Sequence, residues 1–217
     1  MKMDAEFWHE RWRTNATGFH EQKPNRLLVE HFRNIFGERE LRVFLPLCGK
    51  TRDIGWLLSK GYRIAGVELS ETAVTQLFAD LDLIPEVRQP GDLTRFAAAG
   101  MDIFVGDAFD LSAAALGPVD VIYDRAALVA LPSKMRANYA AHLMQITRLA
   151  PQFLVTFEYD QSRMEGPPFS VAEEEIRRCY GRSYSLKRAA SVEVAGGLKG
   201  SCPATENAWV LRAEVRK

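Results

Sequence analysis

Cysteine is scarce in this chain: three residues, Cys48, Cys179 and Cys202, occur among 217. An odd set without C-x-x-C spacing argues against a disulfide framework and against a zinc knuckle, and it suits a reducing compartment. Surplus charge is lacking as well. The chain carries 28 basic and 28 acidic residues, so no net field favours nucleic acid or a membrane surface as the main partner. No apolar run reaches the roughly 18 residues of a membrane span, and Met1-Lys2-Met3-Asp4-Ala5-Glu6 has no apolar leader core. A soluble cytoplasmic protein is expected.

The common catalytic signatures are missing too. Gly49-Lys50-Thr51 resembles the tail of a phosphate-binding loop, but Phe44 stands where that loop needs its first glycine. Cys48-Gly49-Lys50 supplies one glycine where a dinucleotide fingerprint needs three, so a pyrophosphate could not approach the backbone closely. There is no G-x-S-x-G elbow for a serine nucleophile. His9, His20, His31 and His142 are scattered without H-x-x-x-H spacing, and no metal site is expected.

What is present is an alternation of apolar runs and helical patterns. A helix is expected over Asp4 to Arg13, with Phe7, Trp8, Arg11 and Trp12 at helical spacing. A loop follows around Gly18-Phe19-His20, and then a helix from Pro24 to Phe36, stopped by Gly37. The run Leu41 to Leu47 reads as a first strand that turns at Pro46 to Gly49 into a helix carrying Ile54, Leu57 and Leu58. Tyr62 to Leu69 is a second strand, followed by a helix opening at Ser70-Glu71. Leu81 to Gly100, broken by Pro85, Pro90 and Gly91, reads as the least regular part of the chain. Asp102 to Asp107, Val119 to Arg125 and Phe153 to Tyr159 give three further strands. Between the last two, Pro132-Ser133 begins a helix through about Leu149. A charged helix, Val171 to Tyr180, precedes an antiparallel pair, Tyr184 to Val194 and Ala208 to Val215.

Five strand–helix alternations and a closing hairpin predict an α/β, doubly wound sheet. At this length the core is self-sufficient, and a single domain over 1–217 is the economical reading. Ligands in such sheets sit at the carboxyl ends of the strands. Four candidate groups lie there: the Leu47 turn, Glu68, Asp107-Ala108 and Asp124-Arg125. Glu68 follows Leu47 at about 20 residues, the interval between a nucleotide-binding turn and its ribose-binding acid. A carboxylate there accepts both ribose hydroxyls and repels a 2′-phosphate.

Several blocks carry a resemblance. Val43-Phe44-Leu45-Pro46-Leu47-Cys48-Gly49-Lys50, Gly66-Val67-Glu68-Leu69-Ser70 and Asp124-Arg125-Ala126-Ala127-Leu128-Val129-Ala130-Leu131 resemble the thiopurine S-methyltransferase family. So do Phe7-Trp8-His9-Glu10-Arg11-Trp12, Gly18-Phe19-His20 and the region of Trp209, in the family's order. The resemblance implies a class I S-adenosylmethionine-dependent methyltransferase with a seven-stranded mixed sheet whose last strand is antiparallel. Residues 1–36 are then a helical cover over the cofactor site. It implies S-adenosylmethionine as cofactor and S-adenosylhomocysteine as product, with contacts at Trp8, Trp12, Leu47, Glu68, Asp107, Ala108 and Arg125. Phe19 is the implied acceptor-side aromatic.

The expected function is methyl transfer to small aromatic or heterocyclic thiols, with selenium or tellurium species as related soft acceptors. A thiol partly ionised near neutral pH needs no dedicated base. Arg125 is the candidate catalytic group, favouring an anionic acceptor or holding the methionine carboxylate. Trp8, Trp12 and Phe19 would shield the sulfonium by cation–π attraction. A monomer is expected, with a small-molecule thiol as partner. A non-catalytic adenosyl-binding sensor, or methyl transfer to a different small acceptor, is the alternative.

Overall fold

The computed structural model describes residues 5–14, 21–37, 40–89 and 91–214. Two compact units divide after Asp120. The first contains α1 (Ala5–Arg13), α2 (Arg26–Phe36), β1 (Arg42–Pro46), α3 (Arg52–Ser59), β2 (Arg63–Glu68) and α4 (Glu71–Asp80). It continues with β3 (Glu86–Arg88), β4 (Thr94–Ala98), β5 (Met101–Val105) and the single turn α5 (Ala113–Leu116). Its strands lie in the order β3-β4-β5-β2-β1. β1, β2 and β5 are parallel, with Phe44 opposite Ala65 and Gly66 opposite Ile103.

Parallel strands covered on both sides need near-continuous apolar runs. Val43, Phe44 and Leu45 of β1 and Ile64, Ala65 and Val67 of β2 are all buried. Each large side chain among them contributes roughly 1.5–3 kcal/mol on burial. Helix starts follow local capping. The Asn25 side chain accepts the N–H groups of Leu27 and Leu28 at α2, Thr51 accepts from Asp53 at α3, and Ser70 accepts from Ala73 at α4. Asn25 also donates its own N–H to the buried Asp53 carboxylate at 2.6 Å, tying the first turns of α2 and α3 together.

The second unit contains β6 (Val121–Arg125), α6 (Ser133–Ile146), β7 (Gln152–Tyr159), α7 (Glu173–Tyr180), β8 (Tyr184–Glu193) and β9 (Ala204–Ala213). Its strand order is β6-β7-β9-β8, with β6 and β7 parallel and β9 antiparallel to both β7 and β8. The α/β expectation with a reversed last strand therefore holds.

The described strands number nine instead of seven, because the proline-broken stretch 81–100 holds the short antiparallel pair β3 and β4, with Val87 opposite Phe96. Pro85, Pro90 and Gly91 limit those strands to three and five residues, too short to leave a period-two pattern in the sequence. Three boundaries also move. α6 ends at Ile146, since Arg148 and Leu149 take positive φ. α7 begins at Glu173. β9 begins at Ala204, where eight residues pair with β7. Among the described residues, no helix is long and apolar enough to cross a membrane.

Candidate functional site

In the first unit the carboxyl ends of three parallel strands meet at one residue. Glu68 closes β2 and is 6% exposed. Its Oε2 accepts the Gly49 N–H at 2.8 Å, from the turn after β1, and its Oε1 accepts the Ser70 N–H at 2.9 Å. Its backbone carbonyl accepts the Gly106 N–H at 2.9 Å, from the turn after β5. Burial raises the carboxyl pKa, and the N–H groups of Ser70, Gly49 and Leu69 oppose that shift by favouring the anion.

The turn after β1 carries the strain that a glycine-poor sequence requires. Leu47 takes φ 47° and Gly49 φ 51°, the left-handed region that costs a non-glycine residue about 1–2 kcal/mol. The Cys48 N–H donates to the Val67 carbonyl at 3.1 Å, which fastens the turn to β2. Space at Gly49 is also tight: a β-carbon there would sit 3.0 Å from Cζ2 of Trp12, and the indole would have to give. The indole of Trp12 is 3% exposed and lies over the turn, so α1 reaches the same strand ends. Trp8 is half-buried and meets Phe7 edge-to-face at 5.1 Å between centroids.

After β5, Gly106 takes φ 141°, and a β-carbon on it would lie 2.3 Å from Leu93 Cδ2. Only glycine fits this bend. The Asp107 carboxylate is partly committed as a cap, accepting the Phe109 N–H at 3.0 Å, and Ala108 beside it is buried. Cys48 is buried, and burial pushes its thiol pKa well up, so it is an inert hydrophobe here.

Arg125 lies in the second unit, at the carboxyl end of β6 and half-buried. Its neighbour Asp124 is fully buried. The Asp124 carboxylate accepts the Leu128 N–H at 3.1 Å and the Tyr139 hydroxyl at 2.8 Å. Burial raises its pKa to about 6. Sequence reasoning missed Tyr139. The available signal was its place on an i, i+4, i+8 stripe with Met135 and Leu143, since a hydroxyl on a buried stripe demands a partner. The acidic run of α7 is not merely a solvated face. Glu173 does pair locally with Arg177, but Glu175 reaches the buried Arg136.

Thus Trp12, the Leu47 turn, Glu68 and the start of Asp107-Ala108 are brought together within one unit. Phe19 and His20 lie outside the described residues. Among the described residues, no group of three or more His, Cys, Asp or Glu side chains is gathered as a metal would require.

The chain has the fold of S-adenosylmethionine-dependent methyltransferases. Two solved structures align over 97% of it at 14% identity. One is a magnesium protoporphyrin IX methyltransferase from Synechocystis with bound S-adenosylhomocysteine, covered over its full length at a TM-score of 0.66. The other is a Burkholderia thailandensis 1,6-didemethyltoxoflavin-N1-methyltransferase, 87% covered at a TM-score of 0.68. Residues 3–209 match the thiopurine S-methyltransferase family. A thiopurine S-methyltransferase of Xanthobacter autotrophicus is 55% identical over 96% of this chain and 99% of its own length. One of Gluconobacter oxydans is 49% identical over 96% and 94%. This chain belongs to the thiopurine S-methyltransferase family and is an S-adenosylmethionine-dependent methyltransferase.

Proposed function

We propose that this protein methylates the sulfur of small aromatic or heterocyclic thiols, thiopurines among them, and extends to soft selenium or tellurium acceptors. The observation that carries the reading is Glu68, a nearly buried carboxylate pinned by backbone N–H groups from the turn after β1 and from Ser70, on a residue whose main chain takes the turn after β5. The N–H groups of Gly49, Ser70 and Leu69 act on the Glu68 carboxylate, and a carboxylate offers about four lone-pair directions. That leaves an open direction for a ribose hydroxyl, so the donor set fits an adenosyl group.

In this reading Glu68 holds the ribose, and the Leu47 turn and the indoles of Trp8 and Trp12 hold the methionine half. Asp107 and Ala108 receive the adenine through backbone, as the side chain of Asp107 is already engaged. S-adenosylmethionine supplies a sulfonium-activated methyl group that a thiolate takes by in-line displacement. The protein positions the reactants and excludes water, which accounts for most of the acceleration such a step needs. Arg125 is assigned the positive charge that favours an anionic acceptor or a methionine carboxylate, and Phe19 the acceptor-side aromatic role that the family resemblance implies. The rings of Trp8 and Trp12 favour a cation near them.

The unbroken match over residues 3–209 supports one methyltransferase domain, with residues 1–36 as its cover. The contact of Trp12 with the Gly49 turn supports that cover. Three free thiols suit a cytoplasmic location, and we take the working unit as a monomer.

Two measurements test the proposal. Turnover of thiophenol is compared with that of phenol: the thiol should react at least 100-fold faster, and equal rates would remove the sulfur assignment. Titration of S-adenosylhomocysteine into wild type and Glu68→Ala should show a large loss of affinity in the variant. Equal affinities would remove the ribose assignment.

A further inference from the structure

We propose that Asp124 is a positioning residue for Arg125, its buried carboxylate gathering the Leu128 N–H and the Tyr139 hydroxyl so that the turn carrying Arg125 closes in one conformation. The inference rests on the reading of Arg125 given above. Asp124 is 0% exposed, so it touches neither substrate nor cofactor. As successive residues of β6, Asp124 and Arg125 project from opposite faces of the strand. The carboxylate is therefore directed to the packed face, where α6 presents Tyr139 at 2.8 Å.

Ala126, between Arg125 and the donors, takes φ 67°, a conformation a non-glycine residue adopts only when its surroundings impose it. The imposition is visible. Leu128 donates to Asp124 Oδ1 at 3.1 Å, and the Ala127 N–H is a further donor to the same carboxylate. The left-handed residue lets consecutive N–H groups turn inward on one anion, the arrangement of a backbone nest. The chain then runs directly into the buried residues Leu128 and Val129. The Val129 carbonyl accepts the Phe169 N–H at 2.7 Å, which anchors the far end of the turn. Arg125 departs from a segment fixed at both ends, with Asp124 as the fixed point nearest to it.

A carboxamide can keep the oxygen acceptor for Leu128 and offer its N–H₂ to the Tyr139 oxygen, so Asp124→Asn is the conservative variant. Tyr139→Phe removes one partner and nothing else. The experiment measures kcat and KM for thiophenol, and S-adenosylhomocysteine affinity, in Asp124→Ala, Asp124→Asn and Tyr139→Phe, each with and without Arg125→Ala. Asp124→Ala should lower kcat/KM about 10- to 100-fold and Tyr139→Phe about 3- to 10-fold, with Asp124→Asn within about threefold of wild type. With Arg125 already removed, each loss should shrink below about twofold, because residues acting through one another are not additive. Equal fold-losses in both backgrounds would overturn the proposal and leave Asp124 as support for the fold alone. Where Asp124→Ala does not fold, the Tyr139→Phe cycle decides by the same criterion. Where wild type binds no S-adenosylhomocysteine and methylates no thiol, the functional reading falls. The positioning is then read from the Arg125 Nε–H resonance, which Tyr139→Phe should shift and which, if unmoved, overturns it.

Discussion

Two buried acids stand at strand ends in this protein, and their surroundings differ in one respect. Glu68 takes only backbone N–H groups, those of Gly49, Ser70 and Leu69, and retains a sliver of exposure. Asp124 takes backbone N–H groups and a tyrosine hydroxyl, and retains none. Both fasten a turn that contains a left-handed residue other than glycine, Leu47 in one case and Ala126 in the other. The same device thus serves two ends. A carboxylate left with open lone pairs at the surface can hold a ligand, whereas one closed over by a side-chain donor can only hold the chain. Strand-end acids are common; what they accept, and what they leave open, separates binding from positioning.

The comparison breaks most readily at Glu68. On the proposed reading, Glu68→Ala removes a charge-assisted hydrogen bond to ribose that contributes about 1.5–3 kcal/mol. S-adenosylhomocysteine should therefore bind roughly 10- to 150-fold more weakly by calorimetry. The Gly49 and Ser70 N–H groups also lose their partner, so the melting temperature should fall as well. Asp124→Asn should by contrast leave cofactor affinity within about threefold. A drop in affinity as large as that of Glu68→Ala would merge the two roles.

A pH series sharpens the same contrast through stability. The Asp124 carboxyl ionises near 3.8 in the unfolded chain and at about 6 when folded. Between those values the native state holds a proton that the unfolded chain has released, so this group makes stability fall as pH rises from about 4 to 6. Tyr139 from α6 and Tyr180 from α7 face it, and burial pushes both pKa values well up, so neither titrates in that window. Asp124→Asn carries no such penalty. Urea unfolding should show the variant gaining on wild type by roughly 3 kcal/mol between pH 4 and 7. A constant difference across that range would show that the carboxylate is not desolvated in solution.

Much of this contrast is written in the sequence, but unevenly. The apolar run Val43 to Leu45, the Gly49 turn and Glu68 at its interval are legible because a parallel sheet imposes the run and fixes where the strand ends fall, and they are the basis of the proposed nucleoside site. Asp124-Arg125 is recognisable as a block, yet the division of labour inside it is not. Which neighbour a buried carboxylate chooses depends on a helix 15 residues onward that brings Tyr139 to it. β3 and β4 escaped for a different reason: strands of three and five residues between prolines carry too few side chains to show a period. The Arg136–Glu175 contact is long-range, so nothing within α7 itself marks Glu175 as the partner of a buried arginine. Local chemistry was legible, and pairings across the chain were not.

A smaller effect is expected at Gly49, the donor to Glu68. Gly49→Ala combines a left-handed φ with a β-carbon 3.0 Å from Trp12. The conformational cost is about 1–2 kcal/mol, and the indole must shift as well. Stability should fall by that amount or somewhat more. Trp12 fluorescence should change with it, which a purely backbone effect would not produce.

The smallest effect, and the one that isolates the second turn, is at Ala126. Its φ of 67° costs a residue with a β-carbon about 1–2 kcal/mol, and glycine relieves that cost. Glycine also gives the unfolded chain more freedom to lose, worth roughly 0.5–1 kcal/mol against folding. The two nearly cancel, so Ala126→Gly should change stability by less than about 1 kcal/mol, in the stabilising direction. Activity should respond differently. A glycine at 126 lets the turn explore conformations that the Asp124 carboxylate otherwise excludes, and kcat/KM should drop severalfold while the melting temperature holds or rises. Stability and activity moving together on this substitution would mean that the turn needs no fixing for Arg125 to work.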